Sequence, residues 1–364
     1  MHDFFGIHSE QLSLRGVHCC DFSCAIFSVL DFCGRSESSE IGRTRRAIYM
    51  SRTSKLLTRR GLLPITDGVV NYLFQTPKQH HRSPPPSTST PTSTPTTSTT
   101  HPIVLIGGTA QTIHSLVGHH STIANSTGKG LLQYELRGQG RTTTLPLDDC
   151  SLERHVEDFR QIIESSDDFV VSKEDGKVDL VGFSFGGRVA LAIAAELPHR
   201  VRKIVCTGVP ADRGATGRII LRNWLETLSR GDLESFLWQT MVDGHHPNFL
   251  TRHERRIEGW VLAAAEANRA EAIAGLVGQT HTDNVEDPWH TVSLARRARE
   301  GGLLPSNGLF LVGEVDRIAS PKECRLLAEV GGWDCRVIGG AGHSVPIEQP
   351  REWREAVGGF LNHE

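Results

Sequence analysis

The 364-residue chain has little excess of charge of either sign, with 39 Lys and Arg against 42 Asp and Glu and a formal net charge of -3. Without an overall basic field nothing holds a phosphate backbone, so a small molecule rather than nucleic acid is the expected partner. Long apolar runs are missing as well. None approaches the roughly 18 residues that argue for a membrane span, and "CAIFSVLDF" near the start is short and interrupted by Asp31. No secretory leader is read at the N-terminus, so the 8 cysteines are expected to be reduced thiols, and the sequon "NST" at Asn125 to be unused. "HCCDFSC" lacks the paired spacing of a structural zinc site. Neither a metal nor an organic cofactor is expected.

Residues 83–100 contain only Ser, Thr and Pro, too little apolar surface to offset the entropy of ordering a backbone. This stretch reads as a disordered linker between an N-terminal extension, 1–82, and a folded domain, 101–364. Within the extension, residues 41–66 have no acidic residue and carry Arg43, Arg45, Arg46, Arg52, Lys55, Arg59 and Arg60. That composition suits either an organelle transit peptide or a solvated basic tail. The acidic residues of the first 40 positions argue against a transit peptide unless translation begins at Met50, so the expected location is the cytoplasm, with plastid or mitochondrion as the alternative.

After the linker, strands and helices alternate. "PIVLIGG" (102–108), "GLLQYE", "VDLVGF", "VRKIVCTGV", "GLFLVG" and "WDCRVIGG" read as strands, and "SLERHVEDFRQIIES" and "GRVALAIAAEL" as helices between them. The pattern predicts an α/β fold with a mostly parallel sheet and helices on both faces. Between about 210 and 299 no strand-like run occurs, only helical patches, which predicts an inserted helical cap above the carboxyl ends of the strands.

"GFSFG" (182–186) matches G-x-S-x-G between a predicted strand and a helix. A sharp turn there projects Ser184 Oγ out of the sheet near the free N–H groups of a helix start. A serine hydroxyl needs a histidine to take its proton, and the histidine needs a carboxylate to orient it. In this setting the partners follow in the order acid, then histidine. Asp316 in "GEVDRIAS" and His343 in "GGAGHSVPIEQP" stand just beyond later strands in that order. Asp212 and Glu314 compete with Asp316 for the acid role, and Asp316 is preferred.

From about residue 101 to 360 these features resemble the α/β-hydrolase family: "GFSFGG" at the nucleophile turn, "ELRGQGRT" where the family has D-x-R-G-x-G-x-S, "GEVD" before the acid, and "GHSVPIEQP" for its G-H-x4-E-x-P ending. Glu135 and Thr142 replace the usual Asp and Ser, and Gly107-Gly108 stands where many relatives have His-Gly. The resemblance implies a serine hydrolase of small esters, lactones or thioesters, with the N–H groups of Thr109 and Phe185 as oxyanion-hole donors. It also implies further strands before "PIVLIGG", for which only "VVNYLFQ" upstream is available. "SFGGR" is similar, more narrowly, to SHCHC synthase of menaquinone biosynthesis, which implies a lyase alternative in which Arg188 meets a substrate carboxylate. A non-catalytic ligand-binding module on the same fold is the third reading. The "GHH" triplets at 118–120 and 244–246 read as solvated surface, and Trp224, Trp238 and Trp260 as helix packing.

Overall fold

The computed structural model describes residues 56–77, 101–165 and 175–363, and the backbone of 47–49. Among them one sheet is built from β1 (Ala47–Tyr49), β2 (Leu56–Ile65), β3 (Gly68–Pro77), β4 (Ile103–Ile106), β5 (Leu131–Tyr134), β6 (Thr143–Thr144), β7 (Val178–Phe183), β8 (Val201–Thr207), β9 (Gly308–Gly313) and β10 (Asp334–Ile338). The spatial order is β1-β2-β3-β5-β4-β7-β8-β9-β10, with β6 paired to β3. From β5 to β10 every pairing is parallel, and β1, β2, β3 and β6 pair antiparallel. Strand order reverses at β4, between β5 and β7. Crevices at the carboxyl ends of strands beside such a reversal are where open sheets take ligands.

The helices are α1 (Ile113–Thr127), α2 (Leu152–Glu164), α3 (Phe185–Glu196), α4 (Ala215–Ser229), α5 (Leu233–Gly244), α6 (Pro247–Ala267), α7 (Ala270–Gly278), α8 (Thr291–Glu300), α9 (Pro321–Gly331), α10 (Val345–Glu348) and α11 (Pro350–Asn362). Period-two alternation sends neighbouring strand residues to opposite cores. Ile103, Leu105, Val181, Val205 and Leu311 pack with α1 and α11 on one face. Val104, Ile106, Leu180, Ile204 and Phe310 pack with α2, α3 and α8 on the other. Helices α4 to α7 are the insertion between β8 and α8, while α8 itself lies along α3 in the helical layer. The helical run breaks between α6 and α7 at Asn268, whose side chain bonds Ala264 O at 2.8 Å and reaches across to Ala110 O and Gly140 N, both at 3.3 Å.

Three expectations are corrected. The fold does not begin at 101. Residues 56–77 form the β2–β3 hairpin, and β3, which holds "VVNYLFQ", pairs with β5 through Tyr72 to Gln75. Leu73 and Phe74 are buried there, so the hairpin belongs to the core because the edge of β5 needs both a partner strand and apolar cover. The Ser/Thr/Pro stretch lies outside the described residues, but it falls in the β3–β4 connection rather than between domains. Residues 56–65 of the basic stretch 41–66 are likewise β2. Secondly, His119, His120 and His245 are buried: His119 meets the Trp353 ring edge-on at 4.9 Å, and His120 Nε2 bonds Gln133. Thirdly, Trp224 packs as expected, whereas Trp238 is exposed. Cys19, Cys20, Cys24 and Cys33 lie outside the described residues; Cys150, Cys206, Cys324 and Cys335 are free thiols.

If the hairpin is integral, Phe74→Ala should lower unfolding stability by about 3–5 kcal/mol, a value for a buried aromatic emptied to alanine. Urea titration of the full chain measures it.

Candidate active site

At the end of β7 the backbone turns with Ser184 at φ 53° and ψ -121°, a left-handed conformation that a non-glycine residue adopts only under compulsion. The compulsion is steric. A Cβ on Gly186 would stand 2.2 Å from Gly107 O, and one on Gly182 would stand 2.4 Å from Gly187 Cα. Backbone therefore lies on backbone where β7, α3 and the loop after β4 converge. The Ser184 N–H donates to Thr207 O on β8 at 2.8 Å, fixing the turn to the neighbouring strand. Its hydroxyl, half-buried, points to the carboxyl ends of the strands.

Asp316 and His343 reach it from the loops after β9 and β10. His343 Nε2 lies 2.8 Å from Ser184 Oγ, and His343 Nδ1 lies 2.7 Å from Asp316 Oδ2. The other carboxylate oxygen accepts the N–H groups of Ile318 at 2.9 Å and Ala319 at 2.7 Å. Asp316 thus has both oxygens assigned and is buried. The competing acids are elsewhere: Glu314 accepts the Gly340 N–H, and Asp212 sits half-exposed 3.6 Å from His281. Phe183 covers one side of the His343 ring at 5.5 Å between centroids. Gly208, at φ 68°, backs the pair, since a Cβ there would meet His343 Cε1 at 2.9 Å.

The loop after β4 runs against the serine, with a Cβ on Gly108 falling 3.2 Å from Ser184 Cβ. The Gly108 N–H is taken by Gln111 Oε1 at 2.8 Å. Neither the Thr109 N–H nor the Phe185 N–H has a hydrogen-bond partner among the described residues. At a helix start such a group has no intrahelical acceptor. Phe185 follows Ser184 directly and Thr109 follows Gly108, which lies against the serine; unused N–H donors in such positions can stabilise negative charge on a bound oxygen. The loop is held by Glu135 and Thr142 of "ELRGQGRT". Glu135 accepts the N–H of Ile113 at 3.0 Å, that of Arg141 at 2.7 Å and the Asn71 amide at 2.9 Å. Thr142 Oγ1 donates to Glu135 O and accepts the Asn71 N–H.

Arg188 is buried one turn beyond the serine. Its guanidinium donates to Trp289 O at 2.8 Å, Thr291 Oγ1 at 3.1 Å and Thr280 O at 3.2 Å, holding the α7–α8 connection. Burial draws its pKa down to about 10, helped by Arg213 and opposed by Asp287. It lines a cavity of about 340 Å³ with Ser151, Glu153, Gln279, His281, Asp287 and Trp289. Its Nε has no partner among the described residues. No group of three or more His, Cys, Asp and Glu side chains among the described residues could hold a metal ion.

Sequence reasoning missed Gly208, Arg213 and Glu348. Gly208 ends a strand like many other glycines, and nothing local marks it. Arg213 is buried and donates to Ile318 O at 2.5 Å, bracing the loop that fixes Asp316. Glu348 stands in "GHSVPIEQP", but the partner that carries it to another element, the His246 N–H, is 102 residues away.

The model of the alpha/beta hydrolase family matches residues 52–356. Among curated proteins the chain is similar to a 2-hydroxymuconate semialdehyde hydrolase from Pseudomonas putida, 26% identical over 190 residues, which covers 50% of this chain and 62% of that protein. The chain therefore spans less than two thirds of that relative's length. A solved alpha/beta hydrolase enzyme from a Medee basin deep-sea metagenome library superposes with a TM-score of 0.65 at 19% identity, covering 83% of this chain and 98% of that one. The enol-lactonase from Burkholderia xenovorans LB400 gives 0.63 at 15% identity, covering 83% and 100%. At these identities the two structures speak for the fold.

Strain and burial at this site give two expectations. Ser184→Gly should raise unfolding stability by about 1 kcal/mol, because glycine tolerates the left-handed turn, whereas Ser184→Ala should not; thermal melts compare them. His155 on α2 packs edge-on against Phe185 at 5.4 Å, and burial, with Arg137 adding, lowers its pKa to about 3. Its folded pKa lies below the unfolded value near 6.5, so stability is lost as pH falls from about 6.5 towards 3. His155→Leu should flatten urea stability against pH over that window by up to ~1.4 kcal/mol per pH unit.

Proposed function

The chain belongs to the alpha/beta hydrolase family, and from that premise we propose that it is a serine hydrolase cleaving a small ester, lactone or thioester. The observation that carries this reading is the continuous hydrogen-bonded chain from Ser184 Oγ through His343 to Asp316. In the proposed mechanism His343 Nε2 takes the Ser184 proton as Oγ attacks the substrate carbonyl, forming a tetrahedral intermediate. Asp316 keeps the Nδ1 proton directed toward itself and stabilises the imidazolium. The N–H groups of Phe185 and Thr109 hold the oxyanion. His343 then gives its proton to the leaving group, and water, deprotonated by the same nitrogen, releases the acyl group and restores Ser184. Every proton moves through one imidazole, so this scheme needs no cofactor. The similarity to a semialdehyde hydrolase supports hydrolysis of a small carbonyl compound.

The lyase reading has one supporting observation, the unpartnered Nε of Arg188, a residue one turn beyond Ser184 that lines a cavity which Ser184 itself does not line. Against it, the Nη groups of Arg188 already hold three oxygens of the 280–291 segment. A ligand-binding module would need no aligned Ser, His and Asp.

Fluorophosphonate labelling of the full chain tests the proposal. The parent should label, and Ser184→Ala should not. Asp316→Asn should lose roughly 10⁴-fold in kcat, as expected when the histidine takes the wrong tautomer. Equal labelling of the parent and Ser184→Ala would sink the nucleophile assignment. A folded parent that does not label favours the binding module. Turnover of a pyruvate-eliminating substrate in preference to a panel of esters favours the lyase.

A further inference from the structure

His343 lies in a loop whose two flanking residues are both tied to the corner between α5 and α6 of the inserted helices. The tie on one side is Glu348, at the end of α10. Its carboxylate is buried and bridges two backbone donors, with Oε1 accepting the Gly342 N–H at 2.9 Å and Oε2 accepting the His246 N–H at 2.6 Å. On the other side the Ser344 N–H donates to Gly244 O at 3.0 Å. Between these bonds the two backbones touch. A Cβ on Gly342 would stand 2.9 Å from His245 C and 3.0 Å from both Gly244 O and His246 N.

Such a junction has two consequences. A buried carboxylate that loses one of its N–H partners is left undersolvated, so it does not give up either bond cheaply. The corner therefore cannot lift without pulling on the residues before and after His343. Displacements of about 1 Å at a reacting group can cost as much as 10²-fold in rate. We propose that Glu348 is a positioning residue that makes the placement of His343 depend on the seating of the α5–α6 corner. It touches neither Ser184 nor Asp316 and acts only through the backbone of the His343 loop. The inference concerns the geometry of His343 and stands beside the hydrolase reading, which gives that geometry its use.

The test isolates the hydrogen bond by which Glu348 links the two segments, leaving the Ser344 N–H bond to Gly244 O in place. Residue 246 has φ -65° and ψ 138°, and residue 245 has φ -125° and ψ 149°. Both conformations accept proline at 246, so His246→Pro deletes the N–H without bending the chain. His246→Asn removes the ring but keeps the N–H and a capping oxygen. Glu348→Gln keeps the side-chain shape and turns one acceptor into a donor. Two readouts are followed in folded protein, checked by circular dichroism: the rate of fluorophosphonate labelling, and the downfield proton resonance of His343 Nδ1–H shared with Asp316.

His246→Pro and Glu348→Gln should each slow labelling by about ten- to a hundredfold and shift or broaden the downfield resonance. The double variant should lose little more than either single one, because both remove the same link. His246→Asn should retain a rate nearer the parent's than His246→Pro does. A parental rate and an unchanged resonance in His246→Pro would overturn the proposal and leave Glu348 a local brace of its own loop. If the parent itself fails to label, the hydrolase reading is the one that falls, and the resonance still decides whether residues 246 and 348 fix His343.

Discussion

The placement of the site depends on backbone contact at the end of β7, where no side chain fits between β7, α3 and the loop after β4. Gly182 and Gly186 allow that contact, and with it Ser184 has no choice but its left-handed turn. The strain is of the order of 1–3 kcal/mol, affordable only because α3 is buried along nearly its whole length. Small residues such as Ala190 and Ala194, on the face of α3 that begins with Gly186, let that helix lie close to the sheet, so the burial that stabilises the fold also aims the hydroxyl.

Thr207, at the end of β8, joins this turn to the rest. Its carbonyl accepts the Ser184 N–H, its hydroxyl accepts the Trp353 indole N–H at 2.9 Å, and the next residue, Gly208, backs the His343 ring. Trp353 belongs to α11, whose C-terminal end is held by cations: Lys129 and Arg202 both donate to Leu361 O while pairing with the buried Asp179. Positive charge is favourable at a helix C-terminus, and Asp179 would be costly to bury unpaired. The polar interior thus supports the same geometry as the apolar one. The inserted helices join it through Asn268, to Ala110 and Gly140, and through the α5–α6 corner, to the His343 loop.

Much of the architecture was legible from pattern alone. Strands β4, β5 and β7 to β10 show as short apolar runs, and helices α2 and α3 carry helical patterning, together strong enough to reveal a mostly parallel sheet. Ser184, Asp316 and His343 could be read because each follows an apolar strand in the order such a site requires. Of the β2–β3 hairpin, β3 showed as the run "VVNYLFQ", but β2 was hidden for a physical reason: it is half-exposed and carries Arg59 and Arg60, so a strand looked like a basic tail. His119 and His120 looked like surface because a polar ring is cheap to bury only when a partner waits, and those partners stand on other elements, Trp353 on α11 and Gln133 on β5. Arg188 read as a carboxylate receptor in one resemblance, yet its Nη donors are taken by carbonyls and a hydroxyl from 280–291.

The sequence by itself determined which elements form and which side chains end up at the strand termini, since alternation, glycine at forced turns and helix caps act over a few residues. Only the tertiary structure decided which oxygen faces which nitrogen. Asp316 rather than Asp212 or Glu314 meets His343, and Gly208, Arg213 and Glu348 brace that pair, because hydrogen bonds and steric contacts act over about 3 Å between residues the chain separates by up to a hundred positions or more.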